Sequence, residues 1–271
     1  GRLSPEKASG RHETARPRGG LQGGLQASRE AMLDKAMLGK EPSLQEPLLP
    51  EAPGPHWGGT DWSDVSPIRT SRRSLDAAWA ARFPLTTRGR HVLDARGERF
   101  RLKGVNWYGA SDVLHVVGGL DVQSLEVICR TVHDLGFNVV RLPFSNEMLR
   151  SQVPTGAIDF RKNPGLRGLS ALQVYDEAVR CLGRNRVAVI VNNHTTYGEF
   201  CGPPSKNSLW FEPNGPFTEE QWMQDWAMMA KRYARCPHVV GFDLRNEIRP
   251  RLSLWPFWRG DSTQPRGRAN W

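Results

Sequence analysis

No apolar run in this chain approaches the roughly 18 residues that a membrane-spanning helix needs. Cysteine is scarce. The four present, Cys129, Cys181, Cys201 and Cys236, never form a CxxC pair, which argues against a zinc ribbon or a dithiol redox motif. A Cys201–Cys236 disulfide stays open, because spacing alone does not fix pairing. The first core strand ends in VNWYGAS rather than in a GxGxxG loop, which weighs against a dinucleotide-binding sheet. The formal charge is +9, yet the arginines are scattered and no basic helix or aromatic-interleaved basic run collects them. Nucleic acid is therefore not expected as a partner, and neither a metal nor a cofactor is expected.

Apolar residues are also sparse for one compact domain: 38% of the chain is hydrophobic and 24% charged, with a mean hydropathy of −0.53. Part of a chain with that balance does not bury enough apolar surface to fold. Residues 1–74 carry the imbalance, in stretches such as RPRGGLQGGLQ and EPLLPEAPGPHWGGTDWSD. They are expected to be a disordered low-complexity tail with one short helical segment, ASREAMLDKAML. The first residue is Gly1 rather than Met, so the N-terminus is expected to be incomplete.

From residue 75 onward the pattern becomes regular. RHVLDARGERFRLKG reads as a hairpin whose turn is Asp94-Ala95-Arg96-Gly97. LKGVNW is a first core strand, and VQSLEVICRTVHDLGF a helix with Leu125, Ile128, Val132 and Leu135 on one face and Gly136 as its stop. NVVRLPF, a helix LQVYDEAVRCLGRN ending near Gly183, and VAVIVNNH follow. The helix TEEQWMQDWAMMAKRYARC, with Thr218 as N-cap, then leads to the strand VVGFDLRNE. Strands alternating with helices, with continuous apolar runs such as VAVIV, predict a parallel sheet covered on both faces. Doubly wound sheets and (β/α)8 barrels both fit; a hairpin closing one end before the first strand favours the barrel.

In a barrel, chemistry collects at the C-terminal ends of the strands. Those ends carry Asn106, Trp107 and Tyr108; Arg141; Asn192, Asn193 and His194; Asn246 and Glu247. Each has a structural reading as well. Arg141 pairs with Glu247 or Asp243, His194 caps its loop, and Trp107 packs rather than forming a sugar platform. Glu147 reads as the N-terminal charge of a loop or short helix, and Glu199 and Asp243 are set aside with it. Adjacent strand residues face opposite ways, so Asn246 and Glu247 share a site only if the chain bends there.

Four segments, LKGVNWYGASD, GFNVVRLPFSNEM, VIVNNHTTYGEFC and VVGFDLRNEIRP, resemble in order and spacing the first four strands of glycoside hydrolase family 5, the cellulase-type clan. The resemblance covers residues 80–271. It implies a (β/α)8 barrel seen over about its first four βα units, a β-linked glycan as substrate, retaining hydrolysis, and a secreted or extracellular protein. It also implies roles: Arg141 supports the catalytic carboxylates, His194 lines the sugar site, Asn246 binds the 2-hydroxyl, and Glu247 is the general acid/base. The family usually reads Asn-Glu-Pro where this chain has Asn-Glu-Ile248. Its nucleophile, a glutamate at the end of a later strand, has no counterpart before the final GRANW. The chain is thus expected to be a fragment inactive on its own, the alternative being a non-catalytic carbohydrate-binding or interaction protein on the same fold.

If residues 1–74 are a tail, limited proteolysis removes about the first seventy residues before it cuts elsewhere. Strong protection of residues 19–54 would show the tail reading to be wrong.

Overall fold

The computed structural model describes residues 60–68, 75–199, 207–212, 215–250 and 256, all within the unit Pro55–Trp271. The expected tail over 1–59, the segment ASREAMLDKAML, and Cys201 with its possible pairing to Cys236 lie outside them. A short helix α1 (Ala77–Ala80) opens the body, its first turn capped by the Asp76 carboxylate, which accepts the Trp79 N–H at 2.8 Å. The antiparallel pair β1 (Thr86–Arg88) and β2 (His91–Leu93) follows. The turn expected at 94–97 is present beyond it. Gly97 at φ +82° donates to the Asp94 carbonyl at 2.9 Å, and the Asp94 carboxylate accepts the N–H groups of Arg96 and Glu98. It folds Arg99 back onto Leu93, so β2 has chain on both sides.

Four strands then run parallel in sequence order: β3 (Gly104–Asn106), β4 (Val139–Ser145), β5 (Ala188–Thr195) and β6 (Val239–Asp243). The crossovers carry α2 (Leu125–Asp134), α3 (Ala171–Arg184) and α4 (Glu219–Tyr233). Each helix starts where a hydroxyl satisfies an otherwise unpaired N–H: Ser124, Ser170 and Thr218, with Ser170 and Gln173 forming a reciprocal capping box. Gly136 at φ +86° follows the end of α2, as its position predicts.

Register gives the sheet two chemically different faces. Val140, Leu142 and Phe144 of β4, with Val189 and Val191 of β5, pack against the helices in the main core. On the other face, Val139 and Ala188 are covered by Trp79 of α1 and by Leu75, Phe83 and Phe100 from the chain around α1 and the β1–β2 pair. This second core plugs only the lower part of that face. Further along, the same side-chain alternation brings up Arg141, Asn192 and Asp243. The apolar runs read as fully buried strands are therefore apolar below and polar above on one side.

One boundary differs from expectation. Residues 60–68 belong to the body rather than to a tail ending at 74. Trp62 Nε1 donates to Asp225 at 2.9 Å, the Ile68 N–H donates to the Arg232 carbonyl at 2.9 Å, and Ile68 is buried in the main core. The helix α3 ends at Arg184, capped by Asn185, next to the expected stop near Gly183. The glycine is there because His238 packs on it: a Cβ at 183 would stand 2.7 Å from His238 Nε2, which itself bonds the Val179 carbonyl at 2.9 Å.

Replacing a helical glycine by alanine ordinarily stabilises by about 1 kcal/mol. At Gly183 the sign reverses, because His238 is fully buried and held. Gly183→Ala is expected to cost about 1–3 kcal/mol, read as a lower urea midpoint at unchanged slope. A raised midpoint would contradict this packing.

Candidate active site

The polar upper face converges on Arg141. Asn106 and Arg141 are register partners on β3 and β4, and the Arg141 guanidinium donates to Asn106 Oδ1 at 3.4 Å. It reaches past β5 to Asp243 on β6, donating through Nε at 2.7 Å, and to Asn246 Oδ1 at 3.0 Å. Of the two partners the sequence allowed it, Asp243 is the one it takes. Asp243, set aside on sequence, is thus part of the site. Its signal was the register: it lies beside Asn192, across the sheet from Arg141.

His194 is placed by a bulge. The β4–β5 register steps from Phe144↔Asn193 to Ser145↔Thr195, leaving His194 as the extra residue. Its Nδ1 lies 2.8 Å from Asn192 Oδ1 and its Nε2 3.4 Å from Asn246 Nδ2. An amide oxygen only accepts and an amide NH2 only donates. The ring is therefore neutral, with its proton on Nδ1 and a lone pair on Nε2. Its pKa is lowered from 6.5 to about 4, first by burial, then by the Arg141 and Arg245 charges; Glu247 and Asp243 pull the other way but do not prevail.

β6 ends at Asp243, so Asn246 and Glu247 lie beyond the strand. The Asn246 N–H still donates to the Asn193 carbonyl at 2.9 Å. Glu247 then adopts φ +40°, a left-handed conformation unusual for a residue with a side chain. That turn breaks the strand alternation that would have sent the two side chains to opposite faces. The Glu247 carboxylate is 59% exposed and is paired with Arg249.

The remaining candidates separate from this cluster. Asn193 turns inward and is fully buried, bonded to Asn146, Trp222 and Arg245. Trp107 packs, as read: it is 8% exposed and donates Nε1 to the Gly118 carbonyl. Tyr108 is exposed at the rim. Glu147 stands directly before the 3-10 turn Met148–Arg150 without a side-chain cap bond, its carboxylate instead accepting the Gly198 N–H at 2.6 Å, and Glu199 accepts from Asn207. Among the described residues, no group of three or more His, Cys, Asp or Glu side chains is arranged to hold a metal ion.

Residues 93–265 match the family model for cellulase, glycosyl hydrolase family 5. An endoglucanase of Paenibacillus polymyxa is 30% identical over 185 residues, 68% of this chain and 41% of that protein. The major extracellular endoglucanase of Xanthomonas campestris pv. campestris is 36% identical over 158 residues, 58% of this chain and 31% of its own. The catalytic domain of the Xanthomonas enzyme superposes with a TM-score of 0.53 at 34% identity, over 60% of this chain and 45% of that one. An endocellulase from Pyrococcus horikoshii, solved with cellotetraose, gives 0.53 at 32% identity over 60% and 42%. The chain thus spans less than half the length of these relatives. Its architecture is that of a (β/α)8 barrel, of which the described residues supply four parallel strands.

Because His194 is neutral when folded and its pKa is depressed, the unfolded chain takes up its proton first as pH falls. Stability is lost from pH 6.5 down to about 4, and the loss levels off below. His238, lowered to about 4 by burial, adds in the same window. Histidine NMR signals are expected to show the His194 ring neutral at pH 5.5; a midpoint at or above 6.5 would contradict the neutral ring.

Proposed function

The chain belongs to the cellulase family, glycosyl hydrolase family 5, and from that premise we propose that its upper face binds a β-linked glucan, with Glu247 as general acid/base. The observation that carries this reading is the Arg141 guanidinium, which joins Asn106, Asp243 and Asn246 into one cluster with His194. Arg141 takes the oxygen of the Asn246 amide, which leaves the NH2 end pointing away. That end faces His194 Nε2 at 3.4 Å, a separation long enough for a sugar 2-hydroxyl to take its place as acceptor. Glu247, on the next residue, protonates the departing glycosidic oxygen. Neutral His194 supplies a hydrogen-bond acceptor to the sugar without adding charge beside that acid.

Retention of configuration needs a second carboxylate about 5–5.5 Å from the first. The other described carboxylates near the rim are already engaged. Asp243 is held by Arg141, Glu147 by the Gly198 N–H and Glu212 by the Tyr197 hydroxyl. We therefore assign the nucleophile to none of them, and the 271-residue chain is expected to be inactive alone. A second reading, a glycan-binding protein without turnover, is favoured by one observation: the Glu247 carboxylate is mostly exposed and already paired with Arg249.

A chimera completing the barrel with the later strands of an active relative separates the two readings. Glu247→Ala in it is expected to lower activity on a glycan by roughly 10²- to 10⁴-fold. It should lose far less in the first step on an activated aryl glycoside, and azide should restore its second step as a β-glycosyl azide. An inert parent chimera that still binds cellotetraose supports the binding reading. Equal losses on both substrates without azide rescue remove Glu247 from the acid/base role. The 271-residue chain itself should release no reducing sugar; sustained release, abolished in Glu247→Ala, would contradict the assignment.

A further inference from the structure

Behind the rim lies a second set of polar groups, nearly all buried, that the chemistry above does not use. Arg245 is 7% exposed, and Asn193, Asn146 and Asp225 are each at or below 1%. The Arg245 guanidinium donates to Asn193 Oδ1 at 2.8 Å and to Thr196 Oγ1 at 2.9 Å. It also donates to the carbonyls of Asn207 and Leu209, at 3.0 and 2.6 Å. One cation thus gathers the end of β5, the loop after it and the segment before α4. Asn193 passes the chain of bonds inward: its Nδ2 donates to Asn146 Oδ1 at 3.0 Å, and Asn146 Nδ2 donates to Asp225 Oδ2 at 2.7 Å. Asp225 is anchored by its buried ion pair with Arg150.

The position of Arg245 gives this arrangement its consequence. It is the residue immediately before Asn246, whose N–H bonds the carbonyl of the same Asn193 that Arg245 grips through its side chain. The chain between β6 and Glu247 is therefore clipped to β5 twice, at consecutive residues. The left-handed turn at Glu247 begins directly after the second clip. A conformation costing about 1–3 kcal/mol persists only where its surroundings over-determine it, and the double clip lies directly before this one. We propose that Arg245 is a positioning residue: held by Asn193, Thr196 and two carbonyls, it fixes the backbone that presents Asn246 and Glu247 to the glycan. Buried hydrogen bonds to a charged donor are strong and costly to leave unmade, which is why arginine suits this place. A lysine, with three donors on a point charge rather than a planar fork, replaces only part of the set.

The test uses the 271-residue chain and variants Arg245→Met, Arg245→Lys and Thr196→Val. Three quantities are read: hydrogen exchange of the Asn246 amide, the His194 titration, and cellotetraose binding by calorimetry. Arg245→Met is expected to lower Asn246 protection about tenfold or more while α2 and α3 amides keep theirs. It should also raise the His194 midpoint by removing a nearby cation, and weaken cellotetraose at least in proportion. Arg245→Lys should keep that midpoint low and recover part of the protection. Should Arg245→Met fail to fold, Thr196→Val removes a single acceptor and should lower Asn246 protection by a smaller factor in the same direction. Asn246 protection within twofold of the parent in Arg245→Met, or unchanged in Thr196→Val should Arg245→Met not fold, overturns the proposal. The binding arm rests on the glycan reading: a parent chain that ignores cellotetraose sinks that reading, and amide exchange still decides the role of Arg245.

Discussion

The bonds from the Arg141 guanidinium to Asp243 and Asn246 are the contacts on which the arrangement of the upper face turns. Arg141 sits mid-strand on β4, facing away from the helices, where an unpaired charge 28% exposed would be poorly solvated. Asp243 answers that charge from two strands away, and Asn106 and Asn246 each accept from one of its terminal nitrogens. Taken as an isolated partly exposed ion pair, this would contribute about 1 kcal/mol at most. Its larger effect is on orientation. Accepting from Arg141 fixes which end of the Asn246 amide is oxygen, and that in turn fixes the tautomer of His194 through Nε2.

That cluster works only because the sheet beneath it is held from both sides. Below Arg141 the same face is filled by Trp79, Phe83 and Phe100, which place apolar cover where the strands are apolar and end where they become polar. On the helix side, Asp225 collects Arg150, Asn146, Gln221 and Trp62 around one carboxylate. Removing one partner of a buried pair of this kind typically costs about 3–5 kcal/mol, because the other charge stays buried. Through Asn146 and Asn193 that carboxylate is joined to Arg245, so the packing of α4 and the geometry of the turn after β6 belong to one network.

Much of this was legible in the chain, and for identifiable reasons. The alternation of apolar strands with amphipathic helices gave the parallel sheet, and polar residues at four successive strand ends marked the rim. Thr218 and Gly136 announced a helix start and a helix stop by their own chemistry. What escaped depended on partners distant in sequence. Gly183 stands beside the end of α3 as read, but its reason for being glycine, the packing of His238, lies 55 residues on. Asp243 looked dispensable until register set it across from Arg141. Trp62 and Ile68 sat inside a Gly- and Pro-rich stretch whose composition hid two anchoring contacts. Arg245 read as one more scattered arginine, since burial is not visible in composition. The pairing of Glu247 with Arg249 and its left-handed backbone were equally invisible, although the need for a bend between Asn246 and Glu247 was deducible from strand alternation.

The proposed function requires the residues joined by Arg141 to act as a single glycan-binding surface. It is tested most directly by titrating the isotope-labelled 271-residue chain with cellotetraose and following side-chain and backbone NMR signals. The Asn106 and Asn246 amide groups, the Arg141 Nε–H and the His194 ring are expected to shift together with one dissociation constant, and Arg141→Met is expected to abolish the shared response. Shifts confined to another face, or an unchanged response in Arg141→Met, would contradict it.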